Sequence, residues 1–244
     1  MMTPLLEVDH LVKSFGELRA VASASFTVDD HTITALIGPN GSGKTTLFNL
    51  ITGYLPPDGG RVRFAGRDIT GASSGTLYRR GLTRTFQQAR VFPQLTVEEN
   101  LTVAAGYSWR QLFGHRLSRA DSERVAVLLE EFKMAHVADL YASELSYGQR
   151  KLLEFAAVLM SSPRLVLLDE PTAGVNPVMI ATMEHHIRER HAAGVTFLIV
   201  EHDMPFVMRL CDPVVVLDRG REIFAGPPQA VQSDERVLDA YLGS

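Results

Sequence analysis

The sequence predicts an α/β fold, with a mainly parallel sheet at its centre, an antiparallel β part near the N-terminus and an inserted α-helical subdomain. Three observations carry that prediction. The apolar run 33–37 leads straight into Gly38-Pro39-Asn40-Gly41-Ser42-Gly43-Lys44-Thr45-Thr46, and a helical pattern with Leu47, Phe48, Leu50 and Ile51 follows. Two later runs, 165–168 and 196–200, are continuously apolar and flank a helical segment at 178–191, the pattern of buried parallel strands joined by a crossover helix. Between them and the N-terminal part, from about residue 96 to 160, the apolar spacing becomes helical.

Taken in order, residues 5–12, 26–28, 33–37 and 62–64 read as strands, broken by turn residues such as Asp58-Gly59-Gly60. In the middle stretch, residues 121–132 set Val125, Leu128, Leu129 and Phe132 on one helical face with charges opposite. Residues 106–119 are the least periodic, and their aromatics Tyr107, Trp109 and Phe113 suit either ordinary packing or contact with a membrane partner. The expected organisation is a single domain over 1–244. Its nucleotide-binding core spans 1–95 and 161–244, and its helical subdomain spans 96–160.

With 24 basic and 28 acidic residues the formal charge is −4, which provides no broad footprint for nucleic acid or anionic lipid. Cys211 is the only cysteine, so no internal disulfide forms, and it reads as a small buried residue. The start MMTPLLEVDH carries acids where a signal peptide has bases, and no apolar run approaches the ~18 residues that span a bilayer. A membrane role would therefore be borrowed from a partner chain. His185-His186 lacks the spacing of a metal site and is assigned to a solvated helix face.

The chemistry begins at the glycine-rich loop. Gly38, Gly41 and Gly43 let the backbone curl until its N–H groups face phosphate oxygens, and the following helix N-terminus adds partial positive charge. Lys44 supplies a full charge for the β- and γ-phosphates, and Thr45 a hydroxyl for Mg²⁺. The loop alone leaves a kinase, a GTPase and a transport ATPase open. Ligands of open α/β sheets bind at the carboxyl ends of the strands, so Asp169 and Glu170 emerge at the nucleotide. Asp169 is expected in the Mg²⁺ shell, and Glu170 as the base that deprotonates the attacking water. His202, after the apolar run 195–200, is expected to reach the γ-phosphate and link it to Glu170.

These residues together resemble the ATP-binding subunits of ABC transporters, over essentially the whole chain. Gly38 to Thr46 is similar to the Walker A loop, LVLLDEP at 165–171 to the Walker B strand, LSYGQ at 145–149 to the family signature, and His202 to the switch histidine. The resemblance implies a P-loop ABC ATPase fold, ATP and Mg²⁺ as cofactors, and further roles. Phe15 would stack on adenine. Gln87, in RTFQ, would connect the γ-phosphate and Mg²⁺ to the transmembrane partner. Ser146, Gly148 and Gln149 would meet the ATP held by a second ATPase subunit, closing a site that open to water would hydrolyse poorly.

Within that family, PTAGVNP, RTFQ, LTVEENL, EHDM and DAYLG look most like importers of branched-chain amino acids, whose relatives include transporters of other amino acids, amides and urea. The implied partners are a second ATPase, different or identical, permease subunits docked near residues 87–95, and indirectly a solute-binding protein; nucleic acid is not expected. The implied location is the cytoplasmic face of the cell membrane, held there by the permease. Other readings are a lipid exporter ATPase, a soluble ABC ATPase of chromosomes or ribosomes, and a P-loop kinase. Tyr147 stands where most members have glycine, and Asn176 where many have aspartate.

Overall fold

β1 (Pro4–Phe15) and β2 (Leu18–Asp29) form a long antiparallel hairpin, and β4 (Gly59–Phe64) and β5 (Arg67–Asp68) extend it into a four-stranded sheet of order β2-β1-β4-β5. Both hairpin strands run further than their apolar residues suggest. Bulges between Val8 and Leu11 and between Leu11 and Lys13 shift the register, so the alternation that marks a strand is broken while the pairing continues. The computed structural model describes residues 4–106 and 118–242 of the chain, so Tyr107, Trp109 and Phe113 lie outside the described residues.

The second sheet holds six strands in the order β10-β9-β3-β8-β7-β6. These are β3 (Ile33–Ile37), β6 (Leu82–Arg84), β7 (Leu165–Asp169), β8 (Thr196–Val200), β9 (Val214–Asp218) and β10 (Arg221–Gly226). All neighbours are parallel except β10, which runs antiparallel to β9. Every residue of β3, β7 and β8 is buried, as befits central parallel strands covered on both faces. The helix α1 (Lys44–Ile51) lays Leu47, Phe48, Leu50 and Ile51 on a core that includes Leu36, Leu167, Leu198 and Leu217. Each such side chain contributes about 1.5–3 kcal/mol by leaving water.

The chain divides into two compact units. One comprises Met1–Arg84, Arg164–Glu170 and Arg188–Ser244 and contains both sheets; the other comprises Thr85–Pro163 and Pro171–Ile187. Besides α1, the first unit carries α2 (Ser74–Arg79). In the second unit, α3 (Val97–Ala104) opens with a capping box, Thr96 Oγ1 accepting from Glu99 N while Glu99 accepts from Thr96 N. It is followed by α4 (Arg119–Glu131), α5 (Tyr147–Leu159) and the greater part of α6 (Pro177–Ala192). α4 buries Val125, Leu128 and Leu129, as the helical spacing predicts. Phe132 at its end meets Phe155 edge-on, with centroids 5.6 Å apart.

One expectation fails here. His186 is buried, with 3% exposure, and stacks on Phe132 at 4.1 Å with the rings 15° apart, so only His185 of the pair lies on a solvated face. A flat ring with apolar faces packs on phenylalanine as readily as an aliphatic side chain does. α7 (Met204–Leu210), α8 (Pro228–Val231) and α9 (Glu235–Leu242) belong to the first unit. Cys211 is buried, as expected.

Candidate functional site

The loop after β3 is shaped by close approach of main chain to main chain. Gly38 has φ 152°, and a Cβ there would stand 2.0 Å from Leu217 O. Gly43 has φ 100°, and a Cβ would stand 2.4 Å from Ala20 O. No other residue fits either position. α1 begins at the next residue with neither a side-chain cap nor an acidic residue in its first turn. Its leading N–H groups thus have no side-chain cap, the condition under which a helix start receives phosphate. Asn40, Gly41 and Thr45 are exposed, Pro39 and Ser42 are buried, and Thr46 is half-buried.

Lys44 curls back over the same loop. Its Nζ donates to Gly38 O at 2.7 Å, to Pro39 O at 2.8 Å and to Ser42 Oγ at 3.4 Å, so the ammonium is pinned by the backbone it serves. Burial pushes the Lys44 pKa below the ordinary lysine range, while Glu170 and then Asp169 push it back up. Gly38 N–H donates to Tyr241 of α9, and burial holds the Tyr241 phenol above its usual value. No pattern in the sequence brings Tyr241 to the loop.

Asp169 ends β7 and is 3% exposed. Its Oδ2 accepts from Arg84 Nη2 at 2.8 Å, and Arg84 Nη1 donates to Asn49 Oδ1 at 2.7 Å and Thr52 Oγ1 at 3.1 Å. The guanidinium also lies 5.4 Å from the Tyr54 ring centroid. Sequence reasoning missed Arg84, although the signal was present: an arginine in a three-residue strand that is otherwise Leu and Thr.

Glu170 sits just beyond the strand with φ 47°, the left-handed region that non-glycine residues enter only under constraint, and its N–H donates to Val200 O at 2.9 Å. Its Oε1 is 3.9 Å from His202 Nδ1, whose side chain is 65% exposed. Glu201, almost wholly buried, accepts from His202 N at 2.9 Å and Asp203 N at 3.3 Å, and Asp203 caps α7. The first unit therefore brings Lys44, Asp169, Glu170 and His202 into one neighbourhood. Phe15, at the tip of β1, is 47% exposed, with Lys13 Nζ 5.8 Å from its ring centroid.

The other sequence-selected residues lie in the second unit. Gln87 is exposed, on an irregular stretch. Ser146 caps α5: its Oγ accepts from Gln149 N at 3.3 Å, and Gln149 Oε1 accepts from Ser146 N at 2.9 Å. The motif thus builds the helix start that presents it. A Cβ on Gly148 would meet Met179 Cγ at 3.1 Å. Tyr147 OH donates to Gln87 O at 3.4 Å, a contact that glycine could not make. Asn176 Oδ1 accepts from Met179 N at 2.9 Å at the start of α6, a cap that asparagine and aspartate perform equally.

Residues 21–173 match the family described as ABC transporter, and residues 221–244 match the one described as Branched-chain amino acid ATP-binding cassette transporter. The chain is 39% identical over 254 residues to the high-affinity branched-chain amino acid transport ATP-binding protein BraF of Pseudomonas aeruginosa, covering 100% of this chain and 99% of that protein. It is also 39% identical over 250 residues to the probable branched-chain amino acid transport ATP-binding protein LivG of Methanocaldococcus jannaschii, covering 98% and 97%. Among solved structures, a nucleotide-free ATP-binding cassette from an ABC transporter superposes with a TM-score of 0.89 at 37% identity, covering 99% of this chain and 100% of that one. The ADP conformation of an ABC transporter cassette gives 0.86 at 38% identity, with both chains covered completely.

Proposed function

The chain belongs to the ABC transporter family and is an ATP-binding, ATP-hydrolysing subunit; from that premise we propose that it powers import of branched-chain amino acids. The observation that carries the choice of solute is the match of residues 221–244 to the branched-chain family. Full-length likeness to BraF and LivG supports it.

In this reading the loop from Gly38 to Thr46 cradles the ATP phosphates, and Lys44 swings its charge from the loop carbonyls to the β- and γ-phosphates. The Thr45 hydroxyl, exposed at the start of α1, and the Asp169 carboxylate suit Mg²⁺ with its preference for oxygen ligands, and Gln87 would join them. When bound, the ion neutralises phosphate charge. Glu170 accepts the proton of the attacking water, and His202 donates a hydrogen bond to the γ-phosphate and keeps Glu170 oriented. Phe15 offers an exposed ring for adenine.

A second ATPase subunit, different or identical, presents its own Ser146–Gln149 region, or the equivalent, to this ATP. ATP then favours the closed pair by binding it better than the open one, and hydrolysis withdraws the difference. Phe92, 54% exposed beside the Gln87 stretch, supports docking of a permease subunit there. Among the described residues no helix is long and apolar enough to cross a membrane. In this reading the subunit works at the cytoplasmic face, attached through the permease and supplied by a solute-binding protein.

The test is uptake of labelled leucine, isoleucine and valine by cells lacking this chain. Uptake falls, and is restored by the wild-type chain but not by Lys44→Ala. Undiminished uptake of all three, with loss of urea, amide or lipid transport instead, rejects the assigned solute.

A further inference from the structure

The stretch 85–90 has no regular secondary structure, so its backbone polar groups need partners from elsewhere. α5 supplies them from one face. Tyr147, Lys151 and Glu154 follow one another at helical spacings of four and three. Lys151 Nζ donates to Phe86 O at 3.0 Å and also to Gln87 O, which accepts from Tyr147 OH as well. Glu154 Oε1 accepts from Phe86 N at 3.0 Å and from Arg90 N at 3.2 Å. Both backbone groups of Phe86 and the carbonyl of Gln87 are therefore bound by side chains of the helix that starts with the signature.

Lys151 and Glu154 are 3% and 4% exposed. Lysine and glutamate are rarely buried so completely, because desolvating a charge is expensive unless specific partners offset it. Among the described residues Glu154 Oε2 has no hydrogen-bond partner, and burial pushes the Glu154 pKa up to about 7. An apolar pair at these positions would bury more easily. It would take these hydrogen bonds away from the backbone of Phe86, Gln87 and Arg90.

We propose that Tyr147, Lys151 and Glu154 form a latch through which the signature helix fixes the Gln87 stretch, with Lys151 and Glu154 acting as positioning residues for Gln87. The inference rests on the roles given above to Gln87 and to the signature. Its consequence is mechanical: within this unit, displacement of residues 86–90 by a docked permease is delivered directly to the N-terminus of α5, where Ser146 stands.

The test compares Lys151→Met and Glu154→Leu with the conservative Lys151→Arg and Glu154→Gln, each in the full chain assembled with its partner subunits. Glu154→Leu should speed exchange of the Phe86 and Arg90 amides by about fivefold or more, and Glu154→Gln should not. Lys151→Met and Glu154→Leu should lower kcat for ATP by about tenfold or more with little change in KM, since a small misplacement of a catalytic group is costly in rate. Lys151→Arg and Glu154→Gln should restore it. Unchanged exchange at 86 and 90 in Glu154→Leu overturns the latch, and so does wild-type kcat in both disruptive variants. If Glu154→Leu does not fold, Lys151→Met with Lys151→Arg still decides. Wild-type turnover by Gln87→Ala is a different failure, sinking the role given to Gln87 while amide exchange still reads the latch itself.

Discussion

Arg84 and Asp169 form a buried ion pair, Nη2 to Oδ2 at 2.8 Å, with 5% and 4% of the two side chains exposed. One carboxylate oxygen of Asp169 is thereby oriented from within the sheet, β6 to its neighbour β7. The pair therefore sets the direction in which the other oxygen can act.

Removing one member of such a pair strands the other. Arg84→Met should destabilise the chain by about 3–5 kcal/mol in urea denaturation. Adding Asp169→Leu, which removes the stranded charge, should recover most of that stability and none of the ATPase activity. Full activity in the double variant shows that Asp169 has no part in the reaction.

Glu170→Gln keeps the shape of the side chain and removes its basicity. Turnover should fall by about 10²–10⁴ with ATP affinity retained in equilibrium dialysis; near wild-type turnover places the base elsewhere. The positive φ of Glu170 adds a second expectation. Glu170→Gly should be more stable than Glu170→Ala by about 1 kcal/mol, because only glycine occupies that region without strain.

At Ser146, cap and contact separate by substitution. Ser146→Asp keeps an N-cap acceptor and sets a carboxylate against phosphate, so the melting temperature should hold while ATPase activity of the assembled complex is lost. Ser146→Ala should lose about 1 kcal/mol of stability through the missing cap. Unchanged activity in Ser146→Asp contradicts a site shared between subunits.

Glu154 gives a pH signature. Its pKa lies at about 7 in the folded chain against an ordinary 4.5, so the folded state binds more protons between those values and stability falls as pH rises through them. The deficit of wild type relative to Glu154→Gln should grow from about pH 4.5 to 7, reaching at most about 3 kcal/mol, and stay level above. Thermal melts of both proteins across that range check it; parallel curves show that Glu154 is not buried as a free acid.

How much of this was readable from residues alone depends on the pattern. β3 is legible to the residue and β8 to within one, since continuous apolar runs mark central parallel strands. β1 and β2 run past their legible parts because bulges interrupt their alternation. The loop, the strand-end carboxylates and the helix start at Ser146 followed from motif and context. Arg84, Lys151 and Glu154 are not legible this way, because a charged residue reads as exposed until its partners are known. For the last two the partners are backbone atoms some 60 residues away in the chain, at separations of 64, 65 and 68. Backbone atoms leave no mark in a sequence.

That same anonymity of the backbone has a bearing on how the phosphate loop ages in evolution. The atoms that press closest on Gly38 and Gly43 are the carbonyl oxygens of Leu217 and Ala20, which every amino acid carries alike. Drift at positions 20 and 217 leaves the confinement as it is. The loop is insulated from the history of its surroundings, and its vulnerability is concentrated in the two glycines themselves.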